Sequence, residues 1–355
     1  MSEGPAARRL DYTQLSDALD RDSLGRPEEA EGDAPDMRDG RVYRCSPDLK
    51  LAIWVALATS RPLLLRGDPG TGKSSLAPWI ARSLGYRYYE HATTAATRSQ
   101  DLLWRFDTVR RLSDAQVRGE TTRTFVDADY IEPGVLWWAF APESARGRGA
   151  PADGPAAATQ ARDPNATLNA ARPNGAVVLI DEIDKSDPDV PNGLLGPLAS
   201  TSFVVTETGV EITRPPRPDG ELRDDPLSGL LVVITTNEER DLPPAFVRRC
   251  IVHTLGHPDR GDLVAIARLH IGDGLDEDLA DALAEKVVEL RNEAAARHER
   301  RPSTAEFLDA LRACLALKIR PGASPAWDVL ERACLSKPSG SDTTEGGRGR
   351  AAAPV

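Results

Sequence analysis

Gly67-Asp68-Pro69-Gly70-Thr71-Gly72-Lys73-Ser74 is the stretch on which the fold turns. Apolar Leu63-Leu64-Leu65 precedes it as a buried strand, and the spacing from Ser74 to Leu84 continues as a helix. Glycines are needed where backbone amides converge on an anion, because a side chain would block the approach, and Gly67, Gly70 and Gly72 meet that need. The helix that follows aims its free N-terminal amides and its dipole at the same point. The pattern therefore makes Gly67, Asp68, Pro69, Gly70, Thr71, Gly72 and Ser75 a phosphate cradle. Lys73 reaches the β and γ phosphates of a nucleoside triphosphate, and Ser74 ligates Mg2+.

Downstream, Val177-Val178-Leu179-Ile180-Asp181-Glu182 reads as a buried strand ending in two carboxylates. Asp181 at the strand tip suits the magnesium shell, and Glu182 beyond it suits a general base that polarises water. An acidic strand end is common by itself, and the glycine loop ahead of it gives this one meaning. Thr235-Thr236-Asn237 closes the next apolar strand, where the Asn237 amide would orient water against the γ-phosphate. Arg248 and Arg249 close a short helix after Leu242-Pro243-Pro244-Ala245-Phe246-Val247. Cations suit a helix C-terminus for dipole reasons alone. A guanidinium there can also reach a neighbouring subunit's γ-phosphate, with Arg249 favoured over Arg248.

Along the chain, strands are expected at Pro62–Arg66, Arg87–His91, Ala176–Asp181, Leu230–Thr235 and Ile251–Leu255, with a hairpin over Phe203–Thr213. Helices are expected at Pro47–Ser60, Gln100–Phe106, Pro133–Ala141, Asp189–Ser200 and Pro243–Arg249, with an insertion between the second and third of these. Pro78 should bend the helix it interrupts. Helical patterns alone run from Arg260 to Leu335. The fold class is thus α/β: a parallel-sheet P-loop NTPase core followed by a small all-helical lid. The expected division is a leader over 1–45, a core over 46–257, a lid over 258–336 and a disordered tail over 337–355. The stretch 143–174 is rich in Ala, Gly, Pro and Arg and is expected to be a long flexible loop.

With 355 residues there is length for a large domain and a smaller one. The leader carries eleven acidic residues against five arginines before Arg41, with scattered Gly and Pro and little periodicity, and is expected to be acidic and weakly ordered. A formal charge of −11 opposes a nucleic-acid partner. The four cysteines are far apart, and the five histidines lack metal-ligand spacing, so no metal set beyond magnesium is expected. No apolar run is long enough to span a bilayer and no signal segment opens the chain, so a cytoplasmic location is the expectation. Trp137 and Trp138 are expected in the core.

The ordered set of loop, Asp-Glu strand, strand-end Asn and paired Arg resembles the AAA+ superfamily, and further details resemble its MoxR branch. Those details are Asp101-Leu102-Leu103-Trp104-Arg105-Phe106-Asp107, Tyr130-Ile131-Glu132-Pro133-Gly134-Val135-Leu136-Trp137, Leu242 to Arg249, and Arg301-Pro302-Ser303-Thr304. The resemblance spans about residues 46 to 335. It implies a homo-oligomeric ring, commonly a hexamer, with ATP sites between subunits. It also implies a chaperone-like role on a partner protein, frequently one with a von Willebrand factor A domain. Two departures stand out. Pro302-Ser303-Thr304-Ala305-Glu306 has no arginine at the helical position where many members contact nucleotide, leaving Arg301 as substitute, and Ala92 to Gln100 holds no pore aromatic.

Two functions follow as alternatives: ATP hydrolysis that remodels a partner, or nucleotide binding that switches an assembly in a bacterial signalling or defence system with little turnover. A nucleic-acid motor like the related restriction GTPases is disfavoured by the charge and by Asn237-Glu238-Glu239-Arg240-Asp241, which lacks their motif.

Overall fold

A computed structural model describes residues 19, 40–117, 126–150, 159–170, 172, 175–215, 229–322 and 324–336. The tail expected over 337–355 and most of the leader lie outside these. Within the leader, Leu19 is fully buried in a core cluster with Leu49, Ile53 and Trp79. The chain divides into two compact units, one of residues up to 68 and 72–255, the other of 69–71 and 256 onward.

In the first unit, helix α1 (Pro47–Thr59) starts because Ser46 accepts from the Leu49 N–H with Pro47 at the first turn, and it ends at Ser60 in the left-handed region. Strand β1 (Leu63–Arg66) runs into the glycine loop and helix α2 (Lys73–Ser83), which continues through Pro78. Then come β2 (Arg87–Ala92), β3 (Trp104–Phe106), α3 (Thr108–Val117), β4 (Ile131–Pro133) and α4 (Val135–Phe140). The remainder is α5 (Pro142–Arg146), α6 (Ala166–Asn169), β5 (Ala176–Asp181), α7 (Asp189–Ser200), the β6–β7 hairpin (Ser202–Val205, Val210–Thr213), β8 (Leu230–Thr235), α8 (Pro244–Val247) and β9 (Ile251–Thr254).

Five strands form one parallel sheet in the order β2-β5-β8-β1-β9. All six residues of β5 are buried, as a strand covered on both faces requires, and the run is accordingly apolar until its last residue. Trp137 and Trp138 are buried in the core on one face, and Trp79 in the cluster on the other. In this topology the C-terminal ends of β5, β8 and β1 are neighbours, which is where open α/β sheets bind ligands.

Two expectations are corrected. The helix expected over Gln100–Phe106 is a 3-10 turn at Ser99–Leu102 followed by strand β3, paired antiparallel with β4. Buried Trp104, exposed Arg105 and half-buried Phe106 alternate with period two, and aromatic side chains suit a half-covered ribbon. The stretch 143–174, expected to be a long flexible loop with no face to bury, holds most of α5 and all of α6 among its described residues. Asn169 of α6 is buried, its Oδ1 accepting from the Tyr88 N–H at 2.9 Å.

The second unit packs α9 (Arg260–Ile271), α10 (Glu277–Arg297), α11 (Thr304–Leu317) and α12 (Pro325–Leu330) around Leu263, Leu283, Phe307, Leu311 and Trp327. Asp259, Asp276, Ser303 and Ser324 cap these four helices, and Glu306 returns the Ser303 bond as a capping box. Buried Arg291 donates to the Pro302 and Pro258 carbonyls, both at 2.8 Å, and burial pushes its guanidinium down to about 10.

Candidate nucleotide site

The glycine loop leaves β1 at Gly67, whose φ of +138° and close approach to the Leu255 carbonyl exclude a side chain; a Cβ there would lie 2.3 Å from that oxygen. Lys73 opens α2 and is 5 % exposed, its Nζ donating to the Gly67 and Asp68 carbonyls at 2.6 and 2.9 Å. Burial lowers its pKa, opposed by the charges of Asp181, Asp68, Asp184 and Glu182. A cation held against carbonyls at a helix N-terminus is one that an anion arriving at the same amides would attract. Ser74 and Ser75 follow on the first turn, both half-buried.

Asp181 ends β5 at the adjacent strand tip. Its Oδ1 accepts from Ser74 Oγ at 2.7 Å and from Thr235 Oγ1, at the end of β8, at 2.6 Å. The Thr235 hydroxyl in turn accepts from the Glu182 N–H at 2.8 Å. One threonine thus ties two carboxylate-bearing residues to β8. Thr93, just past β2, donates to the Asp181 carbonyl at 3.0 Å and to the Glu182 carbonyl. Glu182 takes a left-handed conformation, φ 56° and ψ 52°, which turns the chain sharply off the strand.

Asn237 Nδ2 donates to Glu182 Oε1 at 3.1 Å, so the strand-end amide and the second carboxylate meet. Two residues not anticipated from sequence complete the cluster. Buried Asp184 accepts with Oδ2 from the N–H groups of Asn237 and Glu239 at 3.2 and 3.0 Å, and Lys185 Nζ bonds Glu182 Oε2 at 2.8 Å. Their position two and three residues past Glu182, on the 3-10 turn Ile183–Lys185, was the available signal. Arg248 and Arg249 are not brought to this cluster: both are exposed, with Arg249 Nη1 donating to the Ala245 carbonyl at 3.3 Å.

The model for "ATPase family associated with various cellular activities (AAA)" matches residues 63–256, more than half of the chain and the whole of this cluster. The chain belongs to the AAA family. No curated protein matches it. Among solved structures, a candidate ATPase from Cytophaga hutchinsonii is similar at 12% identity and TM-score 0.40, covering 91% of this chain and 85% of that one. The RuvB P216G mutant of Thermotoga maritima is similar at 14% identity and TM-score 0.37, covering 77% of this chain and 70% of that one. Among the described residues of this AAA protein, no helix is long and apolar enough to cross a membrane.

Proposed function

We propose that this AAA protein is a MoxR-like ATPase that binds ATP with Mg2+ and hydrolyses it to remodel or activate a partner protein. The observation that carries the reading is the bonded chain Ser74–Asp181–Thr235–Glu182–Asn237 assembled across the ends of β5 and β8 and the start of α2. The Ser74 hydroxyl and Asp181 carboxylate, 2.7 Å apart, are the hard oxygen donors that suit Mg2+. When bound, the ion supplies charge neutralisation at the phosphates. Gly67 to Gly72 offer amides to phosphate, and Ser75 extends that turn. Lys73 leaves its loop carbonyls for the β and γ phosphates, Glu182 takes a proton from the attacking water, and Asn237 orients that water. Arg249, or Arg248 beside it, stabilises charge on a neighbouring subunit's γ-phosphate, for which its exposure is the supporting observation.

The resemblance to the MoxR branch supports a homo-oligomeric ring, hexameric as in that branch. It also supports a partner with a von Willebrand factor A domain, and the pattern along the chain supports a cytoplasmic setting and an ATPase domain over 46–257 with a lid over 258–336. Steady-state ATP hydrolysis by wild type, Lys73→Ala and Glu182→Gln tests the reading. Each substitution is expected to lower turnover on the order of a hundredfold or more, while an equally inactive wild type, with and without partner, would favour the nucleotide-switched assembly instead.

A further inference from the structure

We infer that Arg66 is a positioning residue that aims the Asn237 amide through an ion pair with Glu238; this rests on the role given to Asn237 above. Arg66 ends β1 and is followed at once by Gly67, the first residue of the phosphate loop. Glu238 follows Asn237 at once on the loop that leaves β8. Arg66 Nη1 and Glu238 Oε1 lie 3.6 Å apart, so a charge at the root of the glycine loop reaches the residue next to the amide. Among the described residues, Glu238 is the carboxylate within ion-pair reach of Arg66, and the buried Nε of the guanidinium has no hydrogen-bond partner. Attraction between charges, more than a hydrogen bond, is what ties the two side chains.

The backbone beneath this pair is fixed. The Leu65 carbonyl accepts from the Thr236 N–H at 3.0 Å and the Arg66 carbonyl from the Leu255 N–H at 2.8 Å, which holds the end of β1 between β8 and β9. The hydroxyl of buried Thr236 accepts from the Glu238 N–H at 3.0 Å. Glu238 itself adopts a φ of 59°, in the left-handed region that a residue with a Cβ enters at a cost and glycine enters freely. Asn237 lies between buried Thr236 and this turn, its Nδ2 3.1 Å from Glu182 Oε1, so a turn that relaxes swings the amide away. The ion pair opposes that relaxation by drawing the Glu238 side chain back to the immobile end of β1. With side chains 29% and 53% exposed, the tether is modest, a matter of a few-fold in rate.

Steady-state ATP hydrolysis by the full chain, with the affinity for an ATP analogue read by fluorescence titration, tests this. The variants are R66A, E238A, E238G, R66E, E238R, R66E/E238R and N237A. R66A and E238A are each expected to lower kcat roughly two- to fivefold, the range set by a half-exposed ion pair, with analogue affinity within about twofold of wild type. E238G, which adopts the left-handed turn without strain, should turn over faster than E238A. The R66E/E238R double variant, which restores the pair with its charges exchanged, should turn over faster than either reversed single variant. A double variant no better than the poorer single variant, or an E238G no better than E238A, overturns the tether. Analogue affinity that falls in R66A as far as kcat does overturns it too, because the guanidinium then acts on the nucleotide itself. Wild-type turnover in N237A overturns the reading of Asn237, whatever the ion pair does.

Discussion

Asp184 is a buried side chain that holds the backbone of the loop beside the candidate site. It is 3% exposed, and a single oxygen receives two backbone N–H groups from the loop that carries Asn237. A carboxylate receiving two amides lends each bond about 1.5–3 kcal/mol, because the acceptor is charged. Asp184→Ala should therefore let the Asn237 loop drift, lowering kcat about tenfold or more while the affinity for an ATP analogue, read by fluorescence titration, stays within about twofold. Asp184→Asn retains an acceptor and should recover part of that loss. Unchanged turnover in Asp184→Ala would show that the loop is held by other contacts. Lys73, Ser74 and Asp181 were legible in the sequence because contiguous motifs carry them; Asp184 and Lys185 were not, since charges after a strand look like any solvated turn.

At the scale of elements, β2 is an edge of the parallel sheet, and an open edge would expose unpaired amides and carbonyls. Side chains of α6 and its entry cover it: Asn169 accepts from the Tyr88 N–H, and Asn165 Nδ2 donates to the Tyr88 carbonyl at 2.8 Å. Asp163 braces the arrangement by accepting from Asn169 Nδ2 at 3.1 Å and from the Tyr89 hydroxyl at 3.2 Å. Asn169→Ala should cost about 1–3 kcal/mol by orphaning the Tyr88 amide. Thermal denaturation should register this as a fall of several degrees, and hydrogen exchange as a faster Tyr88 amide. An unaltered melting temperature and exchange rate would mean that water replaces the asparagine without loss. No periodicity announces this cover, because two asparagines acting as a surrogate strand have neither a helical nor a strand repeat.

For the whole molecule, the exposure of Arg249 away from the Ser74–Asp181–Glu182 cluster sets the decisive experiment on assembly. Lys73→Ala and Arg249→Ala subunits should each be nearly inactive alone. Mixed in equal amounts, they should recover a measurable fraction of wild-type turnover, because some interfaces pair an intact loop with an intact arginine. Absence of recovery in an assembly shown by light scattering to contain both subunits would place the arginine's action within one chain. Net charge also belongs to this scale: at −11, nucleic acid should not stimulate hydrolysis at physiological salt.

The sequence by itself determined the α/β class and the glycine loop between an apolar strand and a helix, since these depend on local rules: glycine where amides converge, and apolar runs where a strand is covered on both faces. It also placed Trp137 and Trp138 in the core. Tertiary structure alone decided that β5 and β8 lie side by side, so that Thr235 bonds both Asp181 and Glu182, and that Asn165 and Asn169 reach the edge of β2 from far along the chain. It also made Trp104–Phe106 a strand, paired with Ile131–Pro133, where a helix was expected over Gln100–Phe106. The physical reason is common to all three: hydrogen bonds between residues distant in sequence leave no periodic trace, and only packing brings their partners together.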